Sequence, residues 1–142
     1  MFIADLHIHS AYSRATSRDL LPPQLEASAR RKGIDLVASG DFTHPAWRQL
    51  LRDTLEPAEE GLFRLKAEHR LAESGVAQDR KAPRFIISGE ISSIYKKNGR
   101  TRKVHNVILL PSLEAAETLS QRLELLGCNL RSDGRPIIGR LG

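Results

Sequence analysis

Three side chains that can bind metal ions stand two positions apart near the start of the sequence: Asp5, His7 and His9. Because side chains two apart in a β-strand point to the same face, a strand here would present all three along one edge. Neutral imidazole nitrogens and carboxylate oxygens suit zinc, manganese or iron, and an aspartate beside ligating histidines can instead orient an imidazole. The pattern predicts a metal site; the alternative is a polar strand edge that faces solvent.

Four further residues stand where parallel sheets place functional groups, at the ends of predicted strands or inside one: Asp41, His44, Glu90 and His105. A glutamate or histidine buried there without a partner would be costly, which favours a metal or a hydrogen-bonded neighbour. Taken singly, each has a structural interpretation, such as a helix cap for Asp41, a loop residue for His44 or a satisfied core histidine for His105. Together with the first motif, they favour a shared metal centre.

A basic segment lies between Tyr95 and Lys103. Five of its residues are cationic and none is acidic: Lys96, Lys97, Arg100, Arg102 and Lys103. The formal net charge of +5 and the pI of about 9.8 are common among proteins, so the local clustering says more than the total charge. Such a cluster is typical of a surface that binds a phosphate backbone. The alternative is a solvated hairpin loop whose charges serve solubility.

Hydrophobic patterns place these residues in an α/β fold. Strands are predicted at 2–9, 34–39, 85–89 and 104–110, and helices at 22–32, 46–55 and 112–126. The strand–helix–strand order at the start is the unit that builds parallel sheets. The runs 85–89 and 104–110 are apolar and rich in β-branched residues, so both are predicted to be buried strands.

Weaker patterns describe the connections. A helix is predicted at 67–73, an exposed loop at 75–83, and no element that closes a sheet after Cys128. The Asn98-Gly99 pair is a strong turn signal, within a connection predicted to be longer than a two-residue hairpin.

Composition limits the class of protein. A length of 142 residues fits one domain, and 40% hydrophobic with 27% charged residues is typical of a globular chain. No apolar run reaches the roughly 18 residues that a membrane span needs, and no signal peptide is recognised. With a single cysteine, Cys128, and no export signal, a cytoplasmic location is expected.

Other enzyme classes find little support in the motifs. The sequence has no glycine-rich phosphate loop and no nucleophile elbow. Ser10, Ser13 and Ser17 lie near His9, but a serine–histidine pair without an orienting acid is weak evidence for a serine nucleophile.

Four motifs in order resemble the PHP (polymerase and histidinol phosphatase) superfamily: residues 5–10, 39–41 and 89–90, followed by His105. The resemblance implies an α/β fold that is the N-terminal part of a distorted (β/α)7 PHP barrel with a mostly parallel sheet. It implies two or three divalent metal ions (zinc, manganese or magnesium). The metal ligands it implies are Asp5, His7, His9, His44, Glu90 and His105, with catalytic roles for Glu90 and Asp41.

Within that superfamily, four longer stretches resemble the endonuclease Q family: 9–17, 40–45, 90–96 and 103–107. This likeness implies metal-dependent hydrolysis of the phosphodiester on the 5′ side of a DNA lesion. The lesions implied are deaminated bases (hypoxanthine, uracil or xanthine) and abasic sites. The basic segment and Arg14 are then expected to grip the DNA backbone.

Two departures from the superfamily pattern qualify this expectation. Phe42 stands where a histidine often follows the second-motif aspartate, and His44 is the candidate substitute. No histidine follows His105, although PHP sites take a further histidine and an Asp-x-His from the rest of the domain. Residues 1–142 are therefore expected to be the N-terminal portion of a longer PHP protein, inactive alone. The rival interpretations are a PHP phosphatase for small monoesters and a non-enzymatic PHP module.

Overall fold

The computed structural model describes residues 1–72, 81–131, 133–134 and 136–138. Within those ranges the chain forms seven strands and three α-helices. In chain order they are β1 Ala4–Asp5, α1 Pro22–Lys32, β2 Leu36–Ala38, α2 Pro45–Thr54, β3 Leu55–Pro57, β4 Phe63–Leu65, β5 Arg84–Lys97, β6 Arg100–Leu110, α3 Leu113–Leu125 and β7 Ile137–Ile138. The described helices include none long and apolar enough to cross a membrane.

The described strands form one open, mixed sheet centred on the long strand β5. Strands β1, β2 and β5 are parallel neighbours, and β7 pairs in parallel with the second half of β5. Strands β4 and β3 extend the sheet antiparallel beside the first half of β5, and β6 pairs antiparallel with it as a hairpin. The predicted α/β class with a mostly parallel sheet is thus confirmed for four of the seven strands.

Local signals determine the helices well. Helix α1 begins with Pro22 at its first turn and ends at Gly33, whose φ of 79° is the left-handed conformation that glycine adopts without strain. At α3, the Ser112 hydroxyl accepts a hydrogen bond from the Ala115 backbone N–H at 3.1 Å, a standard N-cap. The chain leaves that helix through Gly127, with φ 82°. The three predicted helices are therefore confirmed to within about one residue at each end.

The first strand is shorter than predicted. Only Ala4 and Asp5 pair with β2, and Phe2 is exposed, so the predicted strand 2–9 is wrong over most of its length. The reason is that β2 itself has only three residues, which leaves nothing for a longer β1 to pair with. His7 and His9 consequently lie beyond the end of β1.

The β5–β6 hairpin differs from prediction in two respects. The connection is only Asn98-Gly99, both with positive φ (52° and 72°), as a primed two-residue turn requires. The strands are longer than their apolar runs because the basic residues on either side of the turn also pair. Strand β6 is mostly exposed, so the prediction that it is buried is wrong. β-Branched residues favour the pleated conformation of a strand whether or not that strand is buried.

Two further predictions concern the weakly patterned segments. Strand β7 was not predicted, because two residues are too few to show a hydrophobic period. The Ser92 N–H of β5 donates to the Pro136 carbonyl beside β7 at 3.0 Å. The predicted helix 67–73 is reduced to the 3₁₀ turn Ala67–His69. Residue 73 of the predicted helix and residues 75–80 of the predicted loop lie outside the described residues.

The core packs the helices against the sheet beneath the turn that follows β2. Trp47, Phe42 and Phe85 are fully buried there, and the Trp47 indole donates to the Gly40 carbonyl at 2.8 Å. Buried Arg48 donates to the carbonyls of Phe42 and Thr43 at 3.0 and 2.7 Å. The 39–44 segment is therefore held from below by side chains of α2, which fixes the position of Asp41.

Candidate metal centre

Two glycines allow the segments of the site to approach one another. A Cβ on Gly40 would lie 2.5 Å from the carbonyl oxygen of Ile8, so only glycine lets the 7–9 segment cross this turn. A Cβ on Gly89 would lie 2.6 Å from the Phe42 ring. Phe42 thus packs beside Gly89 and belongs to the buried core cluster.

Glu90 is the centre of the cluster. Its Oε2 atom lies 2.8 Å from Nε2 of His7 and 3.2 Å from Nε2 of His9. Its Oε1 atom contacts Nδ1 of His105, across the β5–β6 hairpin. The Glu90 side chain is 1% exposed, whereas those of His7 and His105 are 52% and 46% exposed. A buried carboxylate is therefore surrounded by three imidazoles at a site that opens to solvent.

These donors suit a divalent cation. Ligand atoms of His7, His9 and Glu90 all lie within 4.8 Å of one another. Two imidazole nitrogens and a carboxylate oxygen are a donor set that zinc and manganese accept. Within the described residues, Asp5 and His44 do not join this group. The structure thus brings together three of the predicted ligands directly, with His105 on the other oxygen of Glu90.

Asp41 orients His9 from behind. Its Oδ1 atom accepts hydrogen bonds from His9 Nδ1 and from the Ser13 hydroxyl, both at 3.0 Å. Its Oδ2 atom accepts from the backbone N–H and the hydroxyl of Ser10, both at 2.6 Å. Burial acts to raise the pKa of Asp41, but the hydrogen bonds from His9 and Ser10 outweigh it and hold the pKa below that of an ordinary aspartate. Asp41 is therefore an ionised acceptor with four donors.

This arrangement fixes the tautomer of His9. An ionised carboxylate can only accept, so Nδ1 of His9 carries the proton that points at Asp41. The neutral ring then turns the lone pair of Nε2 towards Oε2 of Glu90, 3.2 Å away. Two electron-rich atoms that face each other at this distance call for a cation between them, either a metal ion or a second proton on His9. The aspartate–histidine pair is the arrangement that commonly supports metal-bound histidines.

The predicted residues Asp5 and His44 have other surroundings. Asp5 ends β1 and accepts a long hydrogen bond, 3.4 Å, from the His7 backbone N–H. His44 stands at the N-terminus of α2, with its ring 4.6 Å from that of Tyr12. Burial lowers the pKa of His44, which favours its neutral form. The structure thus places His44 beside Tyr12 and, among the described residues, outside the group formed by His7, His9 and Glu90.

Sequence reasoning missed the residues that support Asp41. In the sequence, Ser10 and Ser13 stand near His9 with no recognisable acid to orient the histidine. In the structure that acid is Asp41, and both hydroxyls donate to it. They are thus engaged in holding the carboxylate. Gly134 covers Asp41 from the other side: a Cβ there would lie 2.4 Å from Cγ of Asp41. The Asp-Gly-Arg-Pro stretch at 133–136 was the signal for this close approach.

We expect Gly134→Ala to destabilise the protein by about 1–3 kcal/mol and to weaken metal binding, because the added methyl group must displace Asp41. Chemical denaturation and metal titration of the same variant measure the two effects. Gly61→Ala is the control, since the nearest atom to its Cβ is 4.0 Å away and only backbone strain at φ 74° applies. Unchanged metal affinity in Gly134→Ala would contradict the described support of Asp41.

The basic residues lie at the far end of the β5–β6 hairpin. All five are exposed: Lys96, Lys97, Arg100, Arg102 and Lys103. We call them the basic hairpin tip. Arg14 is separate from it, in the loop after His9; its side chain is 79% exposed and its Nε lies 3.8 Å from Asp133. The hairpin thus carries Glu90 and His105 near its base and a concentrated positive charge at its tip.

No protein-family model matches the sequence. The chain is 30% identical over 132 residues to the uncharacterized protein MJ0043 of Methanocaldococcus jannaschii. The aligned region covers 93% of this chain and 13% of that protein. The fold of this chain is similar to the crystal structure of the lesion-specific endonuclease PfuEndoQ from Pyrococcus furiosus, with a TM-score of 0.71 and 28% identity over 96% of this chain.

A second solved structure matches equally well. It is endonuclease Q in complex with a 27-mer duplex substrate that has an abasic lesion at the active site, with a TM-score of 0.71 and 28% identity. The chain spans 28% and 29% of the two solved chains and about an eighth of the curated relative. The similarity is thus to one part of larger proteins, and one of those proteins acts on DNA lesions.

Proposed function

We propose that this chain forms the N-terminal part of the PHP domain of a metal-dependent DNA repair endonuclease of the endonuclease Q type. The reaction proposed is hydrolysis of the phosphodiester on the 5′ side of a deaminated base or an abasic site. The single observation that carries the proposal is the convergence of His7, His9 and His105 on buried Glu90. The likeness to a lesion-specific endonuclease over 96% of the chain supports it.

The residues have distinct roles in this proposal. His7, His9 and Glu90 would hold one divalent ion, and Glu90 with His105 would contribute to a second. When bound, such ions lower the pKa of water and offset the negative charge of the phosphate oxygens. Zinc, manganese and magnesium are the candidates, with two or three ions bound in the complete domain.

Asp41 acts as a positioning residue. Its four hydrogen bonds leave no lone pair for substrate, and its side chain is fully buried. It keeps a proton of His9 on Nδ1, so that in the neutral ring the lone pair of Nε2 is available as a ligand. The sequence assigned Asp41 a catalytic role; the proposal replaces it with this support of His9. Asp5 and His44 are left without a metal role.

The position of the basic hairpin tip supports nucleic acid as substrate. A small monoester would be fully bound by the metal centre and has no need of cations at the end of a long, exposed hairpin. A duplex carries negative charge along its whole length and releases counterions wherever lysines and arginines meet it. Arg14, next to the site, is proposed to contact the backbone nearer the cut.

The test is incision of end-labelled duplexes by the full-length protein, with one abasic site, one deoxyinosine or no lesion. With Mn²⁺ or Mg²⁺ we expect a single cut on the 5′ side of each lesion and no cut in the undamaged duplex. EDTA should abolish the cut, and added Mn²⁺ should restore it, because the proposed hydrolysis depends on bound divalent ions. Phosphate release from a free monoester without any DNA incision would overturn the proposal and favour the phosphatase interpretation.

A further inference from the structure

The β5–β6 hairpin has two faces whose residues can be assigned without ambiguity. The register runs unbroken from Ile87 opposite Leu110 to Lys97 opposite Arg100, with no bulge. In such a ladder, paired residues lie on the same face and successive pairs alternate between faces. The right-handed twist turns both faces gradually and keeps them opposed at every level.

The alternation divides the basic hairpin tip. The face of Glu90 carries the pairs Glu90–Val107, Ser92–His105, Ile94–Lys103 and Lys96–Thr101. The other face carries Ile91–Asn106, Ser93–Val104, Tyr95–Arg102 and Lys97–Arg100. Lys96 and Lys103 therefore share the face of the metal centre, and the remaining three cations lie on the opposite face. At its base that opposite face is covered, because Ile91 packs against Leu123 and Leu130.

The spacing on the metal-centre face matches a nucleic acid strand. Two residues along a strand span about 6.8 Å, so Lys103 stands about 7 Å beyond His105. Lys96, which is opposite Thr101, stands about 7 Å farther along the same face. Along a duplex axis each nucleotide of one strand rises about 3.4 Å, so these intervals from His105 correspond to rises of about two and four nucleotides.

We propose that the DNA strand leaving the metal centre runs along this face and that Lys103 and Lys96 bind its phosphates in succession. Lys97, Arg100 and Arg102 add to the general positive field and make no phosphate contact in that complex. This inference rests on the proposed function and refines it, because it separates two binding residues from three that the sequence could not distinguish. It also sets the direction of the bound strand, along the hairpin from base to tip.

A charge-matched pair of double variants tests the inference in the full-length protein. Lys96→Ala/Lys103→Ala and Lys97→Ala/Arg100→Ala each remove two positive charges from exposed positions of the same hairpin. The dissociation constant for a duplex with one abasic site is measured from 50 to 200 mM salt, with circular dichroism to confirm folding. Each lost phosphate contact lowers the slope of log affinity against log salt by about 0.9.

We expect the slope to fall by about 1.8 for Lys96→Ala/Lys103→Ala and by less than about 0.5 for the control pair. Equal changes in both variants, or a larger change in the control, would overturn the face assignment even if the wild-type protein incises lesion DNA. A wild-type protein that neither binds nor incises the duplex would overturn the proposed function itself. The two failures are therefore distinguishable.

Discussion

Glu90→Gln is expected to abolish divalent-metal binding and to slow DNA incision by at least about 1,000-fold. Glutamine keeps the shape of the side chain, but only one of its terminal atoms can bind a cation, and both oxygens of Glu90 face imidazoles. The bound metals contribute several kcal/mol of charge stabilisation to such a reaction. A loss of about 4 kcal/mol corresponds to three powers of ten in rate.

Isothermal titration with Mn²⁺ and single-turnover incision measure these effects. Glu56→Gln is the matched control. Glu56 is a partly exposed surface residue that pairs with Arg64, and it is not one of the proposed metal ligands. His7→Ala is a second variant that keeps the test decisive, because its half-exposed side chain can be truncated without opening the core. Wild-type Mn²⁺ affinity in both Glu90→Gln and His7→Ala would show that the cluster is not the metal site.

Asp41→Asn is expected to weaken metal binding by about 10–100-fold, the usual effect of losing a carboxylate that supports a metal-bound histidine. Four donors converge on Asp41, and an asparagine amide can accept on one side only. Its NH₂ group must face either the N–H of Ser10 or the Nδ1–H of His9. We therefore also expect a loss of about 3 kcal/mol in the free energy of unfolding, because buried donors are left unpaired.

The nitrogen chemical shifts of His9 separate positioning from mere destabilisation. In the wild-type protein we expect the Nδ1–H tautomer, and in Asp41→Asn a mixture of tautomers or the Nε2–H form. Ser13→Ala is the control, since it removes one of the four donors and leaves the carboxylate in place; its effect on affinity should be less than tenfold. If Asp41→Asn kept both the tautomer and the metal affinity of the wild type, Asp41 would not position His9.

The sequence predicted those parts of the fold that local chemistry determines. Helix α1 was predicted with its observed bounds because Pro22 and Gly33 act on their own backbone. The length of β1 and the exposure of β6 depend instead on which strands lie beside them. The local sequence pattern of a strand does not predict its neighbours. Strand β7 exists only through its pairing with β5, so its two residues had no signal of their own.

The candidate site divides in the same way. His7 and His9 were predicted as ligands by their spacing of two with Asp5, and Glu90 by its place after a predicted strand. The role proposed for Asp41 could not be read from sequence, since it rests on contacts with Ser10 and Gly134, which come from distant parts of the chain. His44 was assigned to the site by its nearness to Asp41 in sequence, but its ring packs on Tyr12.

Anomalous diffraction from crystals of the full-length protein grown with Mn²⁺ tests the central claim most directly. We predict an anomalous peak between Nε2 of His7, Nε2 of His9 and Oε2 of Glu90, with Asp41 still bonded to Nδ1 of His9. A strong peak elsewhere in the protein, with His7 still hydrogen-bonded to Glu90 and no density between them, would contradict the account.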